Sequence, residues 1–199
     1  MKDWTGNKKS IYATLGASNH VKEYRESNDY YATDPNAIDK LLTVENPNIS
    51  IWECACGEGH LSKRLTELGN SVFSSDLISR GYGIGGVNFL KQTSIFPGDI
   101  LTNPPYKFAK EFVLKALELI DVGRKVYMFL KVQFLEGKNR YNELFSKHPP
   151  KTIYVFSQRV TCAKNGDFQG MKEGGGSAIA FAWYVWEKGY SGDTIVRWV

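Results

Sequence analysis

The chain has 199 residues, 42% of them apolar and 23% charged, which suits one domain with a real core and excludes a disordered or collagen-like chain. No apolar run is long enough to span a bilayer, and Met1–Asn7 lacks a signal-like apolar region, so a cytoplasmic protein with no membrane role is expected. The net charge of +4 is concentrated, with eight Lys/Arg against three Asp/Glu between Lys131 and Lys172, a distribution that suits a polyanionic partner.

Residues 1–27 are polar, without a sustained period, and read as an N-terminal arm ahead of a single domain over 28–199. A short amphipathic helix is predicted after Pro35, through Ile38, Leu41 and Leu42. Ser50–Cys56 reads as a buried strand ending in a glycine turn, and Leu61, Leu65 and Leu68 give His60–Leu68 helical spacing closed by Gly69. Cys54 and Cys56 fit small residues on a buried strand; a fourth metal ligand is lacking, and the odd total of three cysteines argues against a disulfide framework. Ser71–Leu77 is a second strand, Gly81–Phe89 gives no assignable pattern, and Asp99–Thr102 is a third strand. Phe108–Ile120 is the clearest helix; Lys125–Phe134, Thr152–Val160 and Ala178–Trp186 are strands, and the glycine-rich stretch 161–177 is a loop. Strands alternating with helices predict an α/β fold with an open, mostly parallel sheet, whose ligands lie beyond the carboxyl ends of its strands where the strand order reverses.

Two turns fall at such positions. In Glu53-Cys54-Ala55-Cys56-Gly57-Glu58-Gly59, Gly57 and Gly59 permit a sharp turn and close ligand approach. Seventeen residues after Gly59, Asp76 ends the second strand, where a carboxylate can accept both hydroxyls of a ribose. A dinucleotide site would need a third Gly or Ala, but Ser62 stands there, and Glu53 and Glu58 disfavour a pyrophosphate. The same charges favour a cationic cofactor, such as the sulfonium of S-adenosylmethionine.

The second turn, Asn103-Pro104-Pro105-Tyr106, links a strand to a helix. Its prolines remove two N–H donors and stiffen the backbone, so the turn presents acceptors. The lone pair of an adenine amino group is delocalised into its ring and must become more tetrahedral to attack a methyl group. The Asn103 side-chain oxygen and the Pro104 carbonyl can accept its two hydrogens, and the Tyr106 ring can stack on a base that has left the helix.

These motifs resemble those of class I S-adenosylmethionine-dependent N6-adenine DNA methyltransferases, especially the small enzymes encoded by phages and prophages. The resemblance covers most of the chain. It implies a Rossmann-like fold with a seven-stranded sheet, helices on both faces and an antiparallel strand near the C-terminus. It also implies that Glu53, Ala55, Gly57 and Gly59 form the cofactor loop, that Asp76 holds the ribose, and that Asn103, Pro104, Pro105 and Tyr106 form the catalytic motif. Tyr30-Tyr31-Ala32-Thr33-Asp34-Pro35 resembles the segment flanking the methionine end of the cofactor, which gives Tyr31 and Thr33 a place there. Phe134-Leu135-Glu136-Gly137, with Arg140 following, resembles the same enzymes. The residue that meets the cofactor's adenine, often acidic, is Asn88 here, followed by Phe89.

A separate target-recognition domain has no counterpart, because the residues after Tyr106 mostly complete the sheet. DNA contact is then expected from the arm, the loop 161–177, and the rim residues Arg140, Arg159 and Lys164. Three alternatives use the same motifs: methylation of a protein glutamine amide, methylation of RNA adenine, and a binding module that has lost catalysis. Protection of phage DNA against restriction is the biological role the resemblance implies.

Overall fold

Strand Lys125–Lys131 shows how the sheet is built. Its five central residues, Val126 to Leu130, are fully buried, and they divide between two cores. Val126, Met128 and Leu130 face one apolar layer, and Tyr127 and Phe129 face the other. Each such burial favours folding by about 1.5–3 kcal/mol, so a continuous apolar run is stable only as a central strand covered on both sides.

The computed structural model describes residues 31–160, 162–164, 168 and 179–199; the arm 1–27 and most of the stretch 161–177 lie outside them. The elements in chain order are β1 (Tyr31–Thr33), α1 (Asn36–Leu42), β2 (Ser50–Glu53), α2 (His60–Glu67), β3 (Ser71–Ser74), β4 (Asp99–Thr102), α3 (Ala109–Leu119), β5 (Lys125–Lys131), β6 (Thr152–Val155), β7 (Cys162–Lys164), β8 (Phe181–Glu187) and β9 (Ile195–Trp198).

Seven strands form one sheet in the order β3-β2-β4-β5-β8-β6-β9. All neighbours run parallel except β8, which is antiparallel to both β5 and β6. The expected fold is therefore the observed one. Residues of α1 and α2 pack with Ile51, Leu101 and Trp183 on one face, and α3 packs with Trp52, Ile100 and Tyr184 on the other. From β2 the chain passes to β3 on one side and later to β4 on the other. The strand order thus reverses between β2 and β4, and both turns singled out in the sequence lie at the carboxyl ends of those two strands.

Several boundaries and three strands, β1, β7 and β9, differ from the sequence reading. The strand expected through Phe134 ends at Lys131, because Val132–Leu135 forms a 3-10 turn whose Val132 and Phe134 still pack on the core. The strand expected through Val160 ends at Val155. The loop 161–177 contains β7, which pairs antiparallel with β1 in the register Tyr31↔Lys164, Ala32↔Ala163 and Thr33↔Cys162. Three residues of weak β preference, paired with a partner about 130 positions away, leave no local signal. β9 was not foreseen either; all four of its residues are exposed, so it lacks the alternation that marks a half-buried strand. Among the described residues no helix is long and apolar enough to cross a membrane.

Candidate active site

At the end of β2 the chain turns through Gly57 (φ 55°) and Gly59 (φ 80°), left-handed conformations that favour glycine. A Cβ on Gly59 would run into the ring of Tyr82, so this position needs glycine for space as well. The turn is tied to β3 by Ser75 N–H donating to Glu53 O (2.9 Å) and Cys56 N–H to Ser75 O (3.0 Å). Asp76 completes it: one carboxylate oxygen accepts from Gly57 N–H (2.8 Å) and the other from Ile78 N–H (2.9 Å). The spacing between the glycine turn and Asp76 therefore reflects direct contact.

Glu53 is 2% exposed and accepts a hydrogen bond from the Ser62 hydroxyl, which is itself paired with Ser74 (2.7 Å). Burial pushes its carboxyl up to about 8, with the Ser62 bond opposing the shift. Glu53 thus links the end of β2 to α2 beneath the turn. Ala55 packs against the core at the same turn. His60, at the start of α2, meets the ring of Phe168 edge-on at 5.4 Å, which brings part of the stretch after β7 to the glycine turn.

Asn88 caps the 3-10 turn Phe89–Lys91, its side chain accepting from Leu90 N–H (3.1 Å). It also lines an apolar cleft of about 410 Å³ with Trp52, Phe73, Val87 and Phe96. Phe89 is 2% exposed, edge-on to Trp52 at 5.2 Å and 5.0 Å from Phe112. Its ring belongs to the core, which leaves only its backbone to face a ligand.

At the end of β4, Pro104 is buried while Asn103 and Tyr106 are half-buried. The Asn103 amide nitrogen donates to Thr33 Oγ1 (2.8 Å), more weakly to Tyr31 O (3.3 Å), and lies 3.7 Å from Cys162 Sγ. Its Oδ1 is buried and has no hydrogen-bond partner among the described residues. A buried acceptor left unpaired costs about 1–3 kcal/mol. The Tyr106 hydroxyl donates to Cys162 Sγ (3.8 Å), its ring stacks on Phe181 (centroids 6.3 Å, 26°), and Lys131 Nζ lies 4.3 Å from its centroid. Tyr31 and Thr33 thus meet the Asn-Pro-Pro-Tyr turn directly.

The three basic rim residues have different surroundings. Arg140 Nε donates to Phe134 O (2.8 Å), its Nη2 donates to Glu136 O, and its guanidinium lies 5.2 Å from the Phe134 ring. It braces the turn after β5. Arg159 is exposed on the segment following β6, and Lys164 is paired through its backbone with Tyr31.

The sequence reading missed Lys131, Cys162 and Phe181 at this corner. Lys131 carried a usable signal: a charge at the carboxyl end of a buried strand, on the ligand side of the sheet. Cys162 and Phe181 reach the corner only through long-range pairing.

No protein-family model matches the chain. A chemotaxis protein methyltransferase from Borreliella burgdorferi is 20% identical over 160 residues, 73% of this chain and 56% of the relative. The chain therefore spans little more than half of that relative's length. A structure described as a class I S-adenosylmethionine-dependent methyltransferase from Listeria monocytogenes superposes with a TM-score of 0.61 at 13% identity, over 96% of this chain and 72% of that one. This chain has the class I methyltransferase fold. A modification subunit described as belonging to a type I restriction enzyme of Vibrio vulnificus gives a TM-score of 0.59 at 16% identity, over 96% of this chain and 51% of its own. A protein described as an RNA methyltransferase from Pyrococcus horikoshii gives 0.55 at 18% identity, over 92% and 99%. At these identities the likeness is one of fold.

Proposed function

We propose that the protein is an S-adenosylmethionine-dependent methyltransferase acting on the N6 amino group of adenine in DNA. One observation carries this reading: a buried Asn103 Oδ1 with no hydrogen-bond partner among the described residues, at the end of β4 beside the glycine turn of β2.

Bound S-adenosylmethionine supplies an electrophilic methyl group on a sulfonium. The residues at the glycine turn suit it. Glu58 and Asp76 give the turn an acidic character that favours a cation, while Glu53, its carboxyl pushed up to about 8 by burial, braces the turn from beneath as a neutral group. Asp76 is held by Gly57 N–H and Ile78 N–H, and its remaining lone pairs are available to ribose hydroxyls. Gly57, Gly59 and Ala55 keep the turn low enough for close approach, and Asn88 and the Phe89 backbone border the adenine end. Tyr31 closes the side next to Asn103, whose amide nitrogen is held by Thr33 Oγ1 and the Tyr31 carbonyl.

Asn103 Oδ1 and the Pro104 carbonyl accept the two N6 hydrogens and draw the nitrogen out of the ring plane. Pro104 and Pro105 lack N–H groups, so no donor competes at that edge. Tyr106 offers its ring as a shelf for the base, braced behind by Phe181. With the methyl group supplied by the cofactor, the methylated amine would lose one proton to solvent, because neither Asn103 Oδ1 nor the Pro104 carbonyl is a base strong enough to retain it.

The basic segment Lys131–Lys172 and the likeness to a restriction-enzyme modification subunit favour DNA. Arg159, Lys164, the arm 1–27 and the stretch 161–177 are the groups assigned to it, while Arg140 supports the neighbouring turn. RNA adenine is the second reading, favoured by the full-length match to the archaeal neighbour. A tritiated methyl-transfer assay with duplex DNA, RNA and a glutamine peptide distinguishes these substrates. Label in DNA adenine is expected, and label confined to peptide overturns the proposal.

A further inference from the structure

We infer that Thr33 and Cys162 are positioning residues that fix which way the Asn103 amide points. This rests on the reading of Asn103 as the amine acceptor. The two residues stand directly opposite each other in the β1–β7 ribbon, with Thr33 Oγ1 3.8 Å from Cys162 Sγ. They are 3% and 5% exposed, so a substrate does not meet them; they act through Asn103 and Tyr106.

An asparagine amide has a broad, two-fold preference about its last torsion, so its oxygen and nitrogen exchange places easily unless neighbours distinguish them. With nitrogen toward the substrate, Asn103 would present N–H to an amine that also carries N–H, and the acceptor would be lost. The ribbon opposes that orientation. Thr33 Oγ1 lies 2.8 Å from the amide nitrogen, and the Tyr31 carbonyl, which can only accept, lies 3.3 Å away. A flipped amide would set its oxygen against that carbonyl. Cys162 Sγ, 3.7 Å from the amide nitrogen, also receives the Tyr106 hydroxyl at 3.8 Å, so one thiol joins the acceptor and the stacking ring. Burial pushes this thiol up to about 11, which keeps it neutral and able to serve both donors. The ribbon thus takes the amide nitrogen and leaves Oδ1, buried and without a hydrogen-bond partner among the described residues, as the acceptor.

The test uses Thr33→Val, which keeps shape and removes the hydroxyl, and Thr33→Ser, which restores it. Thr33→Val is expected to lower kcat for DNA about tenfold or more, the size of one lost hydrogen bond. Its S-adenosylmethionine dissociation constant by calorimetry stays within about twofold, and Thr33→Ser recovers most of the rate. An unchanged kcat, or a loss that appears in cofactor affinity instead, overturns the inference. A second readout needs no activity: the side-chain amide protons of Asn103, assigned by their absence in Asn103→Ala, should exchange with water about tenfold faster in Thr33→Val. If the unaltered protein methylates no nucleic acid, the functional reading fails and this exchange rate alone decides the orientation. Equal exchange in both proteins overturns the clamp.

Discussion

The glycine turn after β2 and the proline corner after β4 occupy equivalent places on neighbouring parallel strands, yet they treat polar groups in opposite ways. At the glycine turn the carboxylates are already engaged: Asp76 by two backbone N–H groups and Glu53 by Ser62. At the corner, prolines remove donors, and Asn103 keeps a buried oxygen without a partner among the described residues. The first arrangement sets the shape of a pocket before a ligand arrives. The second holds a buried acceptor at a cost of about 1–3 kcal/mol, which under the proposed function a substrate N–H would relieve. Changes in the two regions should therefore separate, one acting on affinity and the other on rate.

The largest effect is expected at the corner. Asn103→Ala should reduce kcat by about 10²–10³-fold, with cofactor affinity by calorimetry nearly unchanged. Asp76→Ala should do the reverse, weakening cofactor binding by roughly ten- to a hundredfold through lost charged hydrogen bonds, with kcat at saturating cofactor largely kept. If both variants affected rate and affinity equally, the division between the regions would disappear. Tyr106→Ala should cost about 1–3 kcal/mol of base stacking, read as a rise in KM for an adenine oligonucleotide.

A separate effect, on stability rather than on rate or affinity, is expected beneath the glycine turn. The Glu53 carboxyl titrates near 8 when folded against its ordinary 4.5, so between these values the unfolded chain releases a proton that the folded chain keeps. Stability should fall as pH rises through that window and level off above about 8. Glu53→Gln should flatten this slope in urea titrations at several pH values, raising stability more at pH 8 than at pH 5.

Six strands of the seven-stranded sheet were legible because they carry apolar runs and their turns carry glycine or proline, whereas the exposed β9 was not. The placing of Asn103 and Tyr106 at the carboxyl end of β4 could be read from their order in a four-residue turn. Their supports could not: Thr33 was placed with the cofactor, and Cys162 fell in an expected loop, because the ribbon joining them depends on a pairing across most of the chain. Arg140 shows another limit. Spacing gives its reach but not its target, and nearby carbonyls engage it. Lys131 was counted within a basic stretch, while the fold sets it over the ring of Tyr106.

Nucleoside mass spectrometry of adenine-containing duplex DNA, incubated with S-adenosylmethionine and either the unaltered protein or Asn103→Ala, tests the central claim most directly. The account predicts N6-methyladenine from the unaltered protein and about a hundredfold less or lower from the variant. Equal yields from both proteins, or methylation only at another base, would contradict it.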